Sequence, residues 1–321
     1  MPRYNVPMIS HRAFFTASSC FVILLMAFPL AAQVVPNETY SIPTPRPKIG
    51  LALSGGGARG AAHVGVIKAL EELRIPIDFI AGTSMGAAVG AAYASGTSID
   101  ELERRFESAN WDDLLTDTSP REDRSFQRKE EDQRRLLKLE LGVKDGGVRL
   151  PAGAISGQKL DTLFSLVTRS APGSTEFDKL PIPFRAIATN AETGRMAVFD
   201  RGRLPDAMRA SMSVPGAIAP YPIGDKIYLD GGLTRNLPVD VVRRMGANIV
   251  IAVNISSPLL KRHEIQSIVG VSLQMINILT EQNMRESLES LDPTDFLISP
   301  ALDTIGSTDF NLVADATTLG A

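Results

Sequence analysis

The chain has 321 residues, of which 44% are hydrophobic and 21% charged, so it carries enough apolar material for a sizeable core and is not expected to be disordered. Its 33 Lys and Arg residues against 36 Asp and Glu residues give a net charge of −3 without a long basic run, so no nucleic-acid partner is expected. One Cys and three His supply too few thiolate or imidazole ligands for a zinc or iron–sulfur site, and no metal is expected. Any chemistry is therefore expected to use oxygen nucleophiles and carboxylates.

The N-terminal segment has the pattern of a secretory signal peptide. Arg3 and Arg12 precede an apolar stretch over residues 13–28, and no acidic residue occurs before Glu38. Small residues surround a cleavage site expected near Ala32. The stretch is shorter than the roughly 20 residues that span a bilayer, although an uncleaved membrane anchor is the alternative. The sequence therefore predicts export to the periplasm, the outer membrane or the medium.

The rest of the chain is expected to begin with a linker. Residues 33–47 are rich in Pro and Thr and show no periodicity, so they separate the signal peptide, residues 1–32, from a folded body. We predict one domain over residues 48–321, with its core motifs within residues 48–244. The last helical stretch ends without a capping signal, which is compatible with a truncated chain, and the sequence alone leaves open whether it is a fragment of a longer protein.

Strands followed by sharp turns and helices predict an α/β fold. Residues 61–73 carry apolar residues at helical spacing, and a small-residue helix is predicted over residues 84–94. Each of these helices follows a short apolar run that reads as a strand. Largely continuous apolar runs, as in strands covered on both faces, occur at residues 49–53, 77–81, 184–188 and 248–253. We therefore predict a three-layer α/β/α sandwich with a mostly parallel central sheet.

Three further segments complete the predicted secondary structure. Residues 121–140 form the densest charge cluster, which is typical of a solvated helix or a surface loop. Residues 263–291 predict one long helix or two, ended by Asp292-Pro293. Residues 311–321 have a helical pattern.

The segment Gly82-Thr83-Ser84-Met85-Gly86 matches the pattern G-x-S-x-G in the context that a nucleophile elbow needs. The predicted strand ends at Ala81 and the helix begins at Ser84, so this serine occupies a tight turn at the carboxyl edge of the sheet. The amino end of the helix supplies free N–H groups and the positive end of its dipole, which favour an anionic intermediate. The alternative is a serine that merely caps the helix.

A glycine-rich turn, Ser54-Gly55-Gly56-Gly57-Ala58-Arg59-Gly60, follows the first predicted strand. Consecutive glycines leave backbone N–H groups open to a substrate oxygen, as an oxyanion hole requires. Gly55, Gly57 and Gly60 also satisfy the G-x-G-x-x-G pattern of dinucleotide-binding proteins, but that pattern needs an acidic residue at the end of the second strand. The second strand ends in Ile80-Ala81, which argues against a dinucleotide cofactor.

Few residues are available as a base for Ser84. His63 falls within the first predicted helix and is interpreted as a structural, partly buried residue, and His263 lies in a polar and exposed setting. Asp230-Gly231-Gly232 follows a strand predicted over residues 226–229. An aspartate there is able to accept the Ser84 proton directly, although D-G-G is also a common turn.

Four ordered motifs together resemble the bacterial patatin-like phospholipase family. They are the glycine-rich turn, the Gly82 to Gly86 elbow, Ala210-Ser211-Met212-Ser213-Val214-Pro215, and Asp230-Gly231-Gly232. The resemblance implies a carboxylic ester hydrolase of the phospholipase A or lysophospholipase type, which needs no cofactor and works through a Ser–Asp dyad and an acyl-enzyme intermediate. It assigns Ser84 as nucleophile, Asp230 as base, and Gly55, Gly56 and Gly57 as the oxyanion-hole loop.

The neighbours of these residues are expected to support them. Arg59 is expected to brace the glycine loop, with attraction of a lipid phosphate as the alternative. Ser211 and Ser213 are interpreted as packing or capping residues, and Met208 and Met212 as core residues unless they line an acyl tunnel. Close turns around the dyad are expected to depend on four glycines: Gly82, Gly86, Gly231 and Gly232.

The expected partners follow from the same resemblance. They are a phospholipid or another lipid acyl ester, the membrane surface that holds it, and, in a longer chain, a C-terminal outer-membrane barrel. A non-lipid esterase or thioesterase with the same mechanism is the close rival. A non-catalytic passenger domain that kept the fold is a rival of a different class.

Overall fold

The computed structural model describes residues 46–116, 142–144, 147–149, 153–171, 173, 175–263, 265–266 and 268–321. The predicted signal peptide, most of the predicted linker and the charge cluster over residues 121–140 lie outside the described residues.

Short apolar runs form most of the strands, which belong to one large central sheet and to smaller two-stranded sheets. The strands are β1 (Ile49–Leu53), β2 (Phe79–Thr83), β3 (Gly142–Lys144), β4 (Gly147–Arg149), β5 (Gly153–Ile155), β6 (Thr175–Glu176), β7 (Phe184–Asn190), β8 (Met196–Phe199), β9 (Arg201–Gly202), β10 (Gly216–Ile218), β11 (Tyr221–Ile223), β12 (Lys226–Asp230), β13 (Ile249–Val253) and β14 (Phe296–Ile298). Eight of them form one sheet in the order β11-β12-β7-β2-β1-β13-β14, with β8 paired to β7. The strands β7, β2, β1, β13 and β14 run parallel, whereas β8, β11 and β12 pair antiparallel.

Helices connect these strands. They are α1 (Ala62–Glu72), α2 (Met85–Ala94), α3 (Ile99–Ser108), α4 (Trp111–Leu114), α5 (Gln158–Val167), α6 (Leu204–Ser211), α7 (Val239–Arg244), α8 (Ile268–Glu289) and α9 (Val313–Gly320). Short 3-10 helices span Gly57–Ala61, Phe177–Lys179, Gly231–Leu233 and Phe310–Leu312. In the part of the chain that the structure describes, no helix has the length and apolar character needed to cross a membrane.

Alternating side chains of the central strands build two apolar layers. Leu51 and Leu53 of β1 belong to a core cluster that includes α1, α2 and α3, whereas Ala52 belongs to a second cluster with α7 and Met284 of α8. Successive strand residues point to opposite faces, so both faces of the sheet are covered. The fold is the predicted three-layer α/β/α sandwich, with a sheet that is parallel at its centre and antiparallel at one side.

Two predicted boundaries are shifted in the structure. Strand β2 extends to Thr83, two residues beyond the predicted end, because Gly82 and Thr83 pair with Ala186 and Ile187 of β7. A single helix, α8, begins at Ile268 instead of at residue 263. The chain before it folds back, since the Gln274 side chain accepts a hydrogen bond from Leu260 N at 2.7 Å.

Candidate active site

Ser84 sits in a sharp turn between β2 and α2. Its backbone has φ 53° and ψ −124°, a left-handed region that is costly for a residue with a side chain. The side chain makes no capping hydrogen bond to α2, so the structure favours the elbow over a simple helix cap. Strain of this kind is typical of functional positions, and it presents the hydroxyl at the carboxyl edge of the sheet.

The two glycines that flank the elbow permit a close approach of backbones. A Cβ added at Gly82 would lie 2.3 Å from the Gly86 carbonyl oxygen, and one added at Gly86 would lie 2.5 Å from the Leu53 carbonyl oxygen. No side chain fits these positions without displacing the backbone. The turn therefore requires glycine on both sides of Ser84.

The topology brings Asp230 to the same point. Ile187 of β7 pairs with Thr83 of β2, and the next residue, Ala188, pairs with Asp230 of β12. Because both residues also pair with β8, strands β2 and β12 must share the other edge of β7. Strand β12 runs antiparallel to β7, so its carboxyl end meets the carboxyl end of β2. Ser84 and Asp230 are each only 6% exposed there.

The Asp230 carboxylate is buried and only partly satisfied. Its Oδ1 accepts a hydrogen bond from Gly232 N at 2.7 Å, whereas its Oδ2 has no hydrogen-bond partner among the described residues. Burial raises the pKa of Asp230 to about 6, against the lowering effects of the Ser84 hydroxyl and the Gly232 N–H. The Ser84 hydroxyl is thus near enough to stabilise the carboxylate without forming a hydrogen bond of ordinary geometry to Oδ2. Such contacts often tighten only when substrate binds.

The glycine-rich turn lies directly beside Ser84. A Cβ added at Gly55 would lie 2.9 Å from Ser84 Cβ. The Gly55 N–H donates to Asn236, but the Gly56 and Gly57 N–H groups have no partner among the described residues. Gly57 has φ +59°, and a Cβ there would lie 2.1 Å from the Ser307 carbonyl oxygen. Two backbone donors are therefore left for a substrate oxygen.

Arg59 links this turn to the C-terminal part of the domain. Its Nε donates to Ile255 O at 2.9 Å, and its Nη1 donates to Leu302 O at 2.8 Å and Ile305 O at 2.7 Å. Burial lowers the pKa of Arg59, and the nearby Asp303 charge opposes this effect. The guanidinium is thus engaged by backbone carbonyls.

The two histidines occupy different surroundings. His63 is completely buried, more so than the sequence predicts, because α1 packs against α9 and shares the core cluster of β1 and α2. Its Nε2 lies 2.7 Å from Ser54 O, and burial lowers its pKa to about 4, against the raising effect of that hydrogen bond. His63 is therefore neutral at physiological pH and holds Ser54, the first residue of the glycine-rich turn. His263 lies in an exposed turn before α8.

Sequence reasoning missed the part that Ser211 plays in holding the elbow. Ser211 Oγ accepts a hydrogen bond from Ser84 N at 2.8 Å and donates to Ile187 O of β7. The backbone of the elbow is thereby joined to the central strand through the end of α6. The sequence signal for this role was the position of Ser211 in the Ala210 to Pro215 motif.

Met208 and Met212 are core residues, with 0% and 4% exposure.

Two buried asparagines, also missed, join the turn after Asp230 to the glycine-rich turn. Asn283 of α8 donates to Gly232 O at 2.8 Å and accepts from Asn236 N at 2.7 Å. Asn236 in turn accepts from Gly55 N at 3.2 Å. Asp230 and the glycine-rich turn are therefore held by one chain of hydrogen bonds. Asn283 had no sequence signal, because it lies 53 positions beyond Asp230.

A buried arginine steadies the segment between α6 and β12. Arg209 is 1% exposed, and its Nη1 donates to Ser213 Oγ at 2.9 Å. Its guanidinium also stacks over Tyr221, 5.3 Å from the ring centroid. Ser213 O accepts a hydrogen bond from Asp230 N at 2.9 Å, so this arginine supports the strand that carries Asp230. No group of three or more His, Cys, Asp or Glu residues in the described ranges is arranged to hold a metal ion.

The geometry agrees with the comparison to known families. The profile of the patatin-like phospholipase family matches residues 51–243, which contain the glycine turn, the elbow and Asp230. The chain belongs to this family.

Relatives of known sequence support the same assignment. An uncharacterized NTE family protein of Mycobacterium tuberculosis is 36% identical over 211 residues, which cover 65% of this chain and 49% of the relative. Patatin-like phospholipase domain-containing protein 7 of Rattus norvegicus is 33% identical over 211 residues, 65% of this chain and 14% of that protein. The chain thus spans about half the length of the mycobacterial relative and a small part of the rat protein.

Two solved structures are similar in outline. VipD from Legionella pneumophila aligns with a TM-score of 0.45 at 14% identity, over 86% of this chain and 66% of that chain. The type III effector protein ExoU aligns with a TM-score of 0.42 at 17% identity, over 86% of this chain and 53% of that chain.

Proposed function

We propose that the protein is a serine acyl hydrolase that cleaves fatty-acyl esters of phospholipids or lysophospholipids. The observation that carries this proposal is the pairing of a strained serine, at the carboxyl edge of the sheet, with a buried carboxylate oxygen that has no hydrogen-bond partner among the described residues. The raised pKa of Asp230, about 6, leaves this carboxylate mostly ionised at neutral pH and a better base than an exposed aspartate.

The first half of the reaction acylates the serine. Ser84 Oγ attacks the ester carbonyl carbon while its proton moves to Asp230 Oδ2. The carbonyl oxygen becomes an oxyanion, which accepts hydrogen bonds from Gly56 N and Gly57 N. When the intermediate collapses, the ester C–O bond breaks, Asp230 returns the proton to the leaving alcohol, and the acyl group stays on Ser84.

The second half repeats these steps with water. A water molecule gives its proton to Asp230 and attacks the acyl carbon, and the same two N–H groups stabilise the second oxyanion. Collapse breaks the bond to Ser84 Oγ, which recovers the proton. The products are a fatty acid and the free enzyme, so no cofactor is consumed.

Family membership supports a lipid ester as the substrate. The matched family is named for phospholipases, and the rat relative carries the same name. A non-lipid esterase or thioesterase would use identical chemistry. Profiling hydrolysis against acyl-chain length separates these two, because a lipid hydrolase prefers long chains and a non-lipid esterase prefers short ones.

Labelling of the serine tests the proposal directly. An organophosphonate, which mimics the tetrahedral intermediate, is expected to label Ser84, and hydrolysis of a phospholipid panel is expected from the same preparation. Ser84→Ala should abolish labelling and reduce turnover on the order of 10⁴-fold or more. Ser165→Ala, at an exposed serine of α5, is the matched control and should retain both. Labelling that survives Ser84→Ala would place the nucleophile elsewhere.

We also propose that the protein is exported. The basic N-terminal end, the apolar stretch that follows and the small residues near Ala32 support this location. A lipid in the cell envelope would then be within its reach.

A further inference from the structure

Helix α8 changes character along its length. The exposed side chains of its first half are apolar, whereas those from Glu281 onward are mostly charged. Residues 265–280 contain no charged residue at all. Four apolar side chains follow one face of this half and are 40–61% exposed; we refer to them as the apolar stripe: Val271, Met275, Ile278 and Leu279.

The apolar stripe ends beside the catalytic turn. Thr280 Oγ1 donates to Gly232 O at 3.3 Å, and Asn283 donates to the same oxygen at 2.8 Å. The next residue toward the amino end is Leu279 of the stripe. A hydrophobic surface therefore extends to the residues that hold the turn after Asp230.

A cavity opens along the same half of α8. It has a volume of about 560 Å³ and is lined on one side by Leu273 and Asn277 of α8 and on the other by residues 303–309. Arg59, which follows the glycine-rich turn, belongs to its lining. The cavity, the stripe and the oxyanion loop are thus neighbours.

The turn before α8 carries positive charge. Lys261 and Arg262 are both exposed there, near the exposed Leu259. In the sequence, the acidic residue Glu264 follows them. Asp303 lies on the opposite wall of the cavity, where the Arg59 charge offsets it. An apolar helix face with basic residues at its end is the pattern of a helix that lies in the interface of an anionic bilayer.

We propose that the apolar stripe, with Lys261 and Arg262, docks the protein on a lipid bilayer that carries anionic headgroups. This inference rests on the proposed function, since a water-insoluble ester has to be taken from such a surface. Four partly exposed side chains offer far less area than the roughly 800 Å² per partner that a stable dimer buries, which favours lipid over a second copy. Docking here presents the bilayer to the cavity and to the Ser84 side of the sheet.

Vesicle binding of the full chain tests the docking surface. The Ser84→Ala variant is used so that the lipid is not consumed. It is expected to sediment with phosphatidylcholine vesicles that contain phosphatidylglycerol, more weakly with phosphatidylcholine alone, and more weakly at high salt. Adding Met275→Glu should lower the partition coefficient by about tenfold or more, because an apolar anchor is replaced by a like charge. Circular dichroism checks the fold of each variant.

A control at a distant apolar residue separates the stripe from general hydrophobicity. Leu73 is 71% exposed and precedes the amino end of β2, at the edge of the sheet opposite Ser84. Leu73→Glu should leave vesicle binding unchanged. The proposal would be overturned if the Met275→Glu variant bound vesicles as well as its Ser84→Ala parent does. It would also be overturned if Leu73→Glu weakened vesicle binding as much as Met275→Glu does.

Two further measurements distinguish the other outcomes. If Met275→Glu changes the mass measured by light scattering but not vesicle binding, the stripe is a self-association surface and lipid docking is wrong. Wild-type hydrolysis of a phospholipid dispersed in detergent micelles tests the proposed function without any need for docking on a bilayer. Hydrolysis of the dispersed phospholipid without vesicle binding would overturn only the docking surface, whereas no hydrolysis of it would overturn the proposed function.

Discussion

At the scale of single residues, Asp230 is expected to determine how the activity falls at acidic pH. Burial raises its pKa to about 6, and the base must be ionised to accept the Ser84 proton. We therefore expect kcat/KM for a soluble ester to fall as the pH drops below about 6. The slope of the profile should correspond to the binding of one proton, because a single carboxylate is protonated. His63 cannot cause this limb, because its pKa is lowered to about 4. A pH profile that is flat down to pH 4.5 would contradict the assignment of Asp230 as base.

The same burial makes the ionised Asp230 costly for stability. Its folded pKa lies above its usual value, so the folded state binds a proton more tightly, and this group lowers the free energy of unfolding as the pH rises from about 4 to about 6. Asp230→Asn should abolish most of the activity while raising stability at pH 8 on the order of 2 kcal/mol. The amide oxygen can still accept the Gly232 N–H. Urea unfolding at pH 8 measures the change.

An exposed aspartate of the same hairpin provides the control for this variant. Asp225 lies in the turn between β11 and β12 and is exposed. Asp225→Asn should change neither activity nor stability by more than about 0.5 kcal/mol. If Asp230→Asn instead lowered the free energy of unfolding, as the loss of a buried structural carboxylate would, the role of Asp230 would be structural and not that of a base.

The histidines are expected to be dispensable for the chemistry. His63→Ala and His263→Ala should each retain kcat/KM within about tenfold, and any loss in the first should reflect looser packing behind Ser54. For His63 the sign of the pH effect is the reverse of that for Asp230. Its folded pKa of about 4 means that its contribution to stability is lost as the pH falls from about 6.5 to 4. A His63→Ala variant that is folded and as inactive as Asp230→Asn would require a triad instead of a dyad.

At the scale of elements, α8 acts as a support for both halves of the site. Asn283→Ala leaves the buried Asn236 N–H without its acceptor, and it leaves Gly232 O with only the longer hydrogen bond from Thr280 Oγ1. We expect a loss of about 1–3 kcal/mol in stability for the unpaired N–H group, and a fall in kcat with KM little changed. The rate of organophosphonate labelling should fall in parallel, because the oxyanion loop is tied to the same chain of bonds.

The neighbouring residue serves as a control for the helix itself. Gln282 is exposed and precedes Asn283 in α8. Gln282→Ala changes neither the buried bonds nor the helical propensity by much, so its kcat and labelling rate should match the wild type. A drop in labelling with Gln282→Ala equal to that with Asn283→Ala would point to a general effect on α8.

At the scale of the whole molecule, the N-terminal pattern predicts processing. Mass spectrometry of the protein from its native source should find an N-terminus near Gln33, because the segment before it has the charge and apolar pattern of a cleaved signal. Removal of Arg3 and Arg12 leaves 31 basic against 36 acidic residues, a net charge of −5. An intact Met1 on protein recovered from the cytoplasm would contradict export.

The sequence by itself determined the α/β architecture. Continuous apolar runs over residues 49–53, 184–188 and 248–253 lie within or nearly match β1, β7 and β13, because a strand covered on both faces has no polar side to alternate with. The elbow could also be recognised locally, since its geometry depends on glycines at fixed spacing from Ser84. The charge and cysteine counts further restricted the expected chemistry to oxygen groups.

Only the tertiary structure decided which distant residues hold the site. Asp230 meets Ser84 because β12 runs antiparallel along the edge of β7 that β2 occupies, and strand pairing across more than a hundred residues leaves no local signal. Asn283 and Ser211 act through buried hydrogen bonds, whose partners are fixed by packing and not by spacing along the chain. Burial likewise set the pKa values of Asp230 and His63, because desolvation depends on what surrounds a group in space and the sequence gives only its neighbours along the chain.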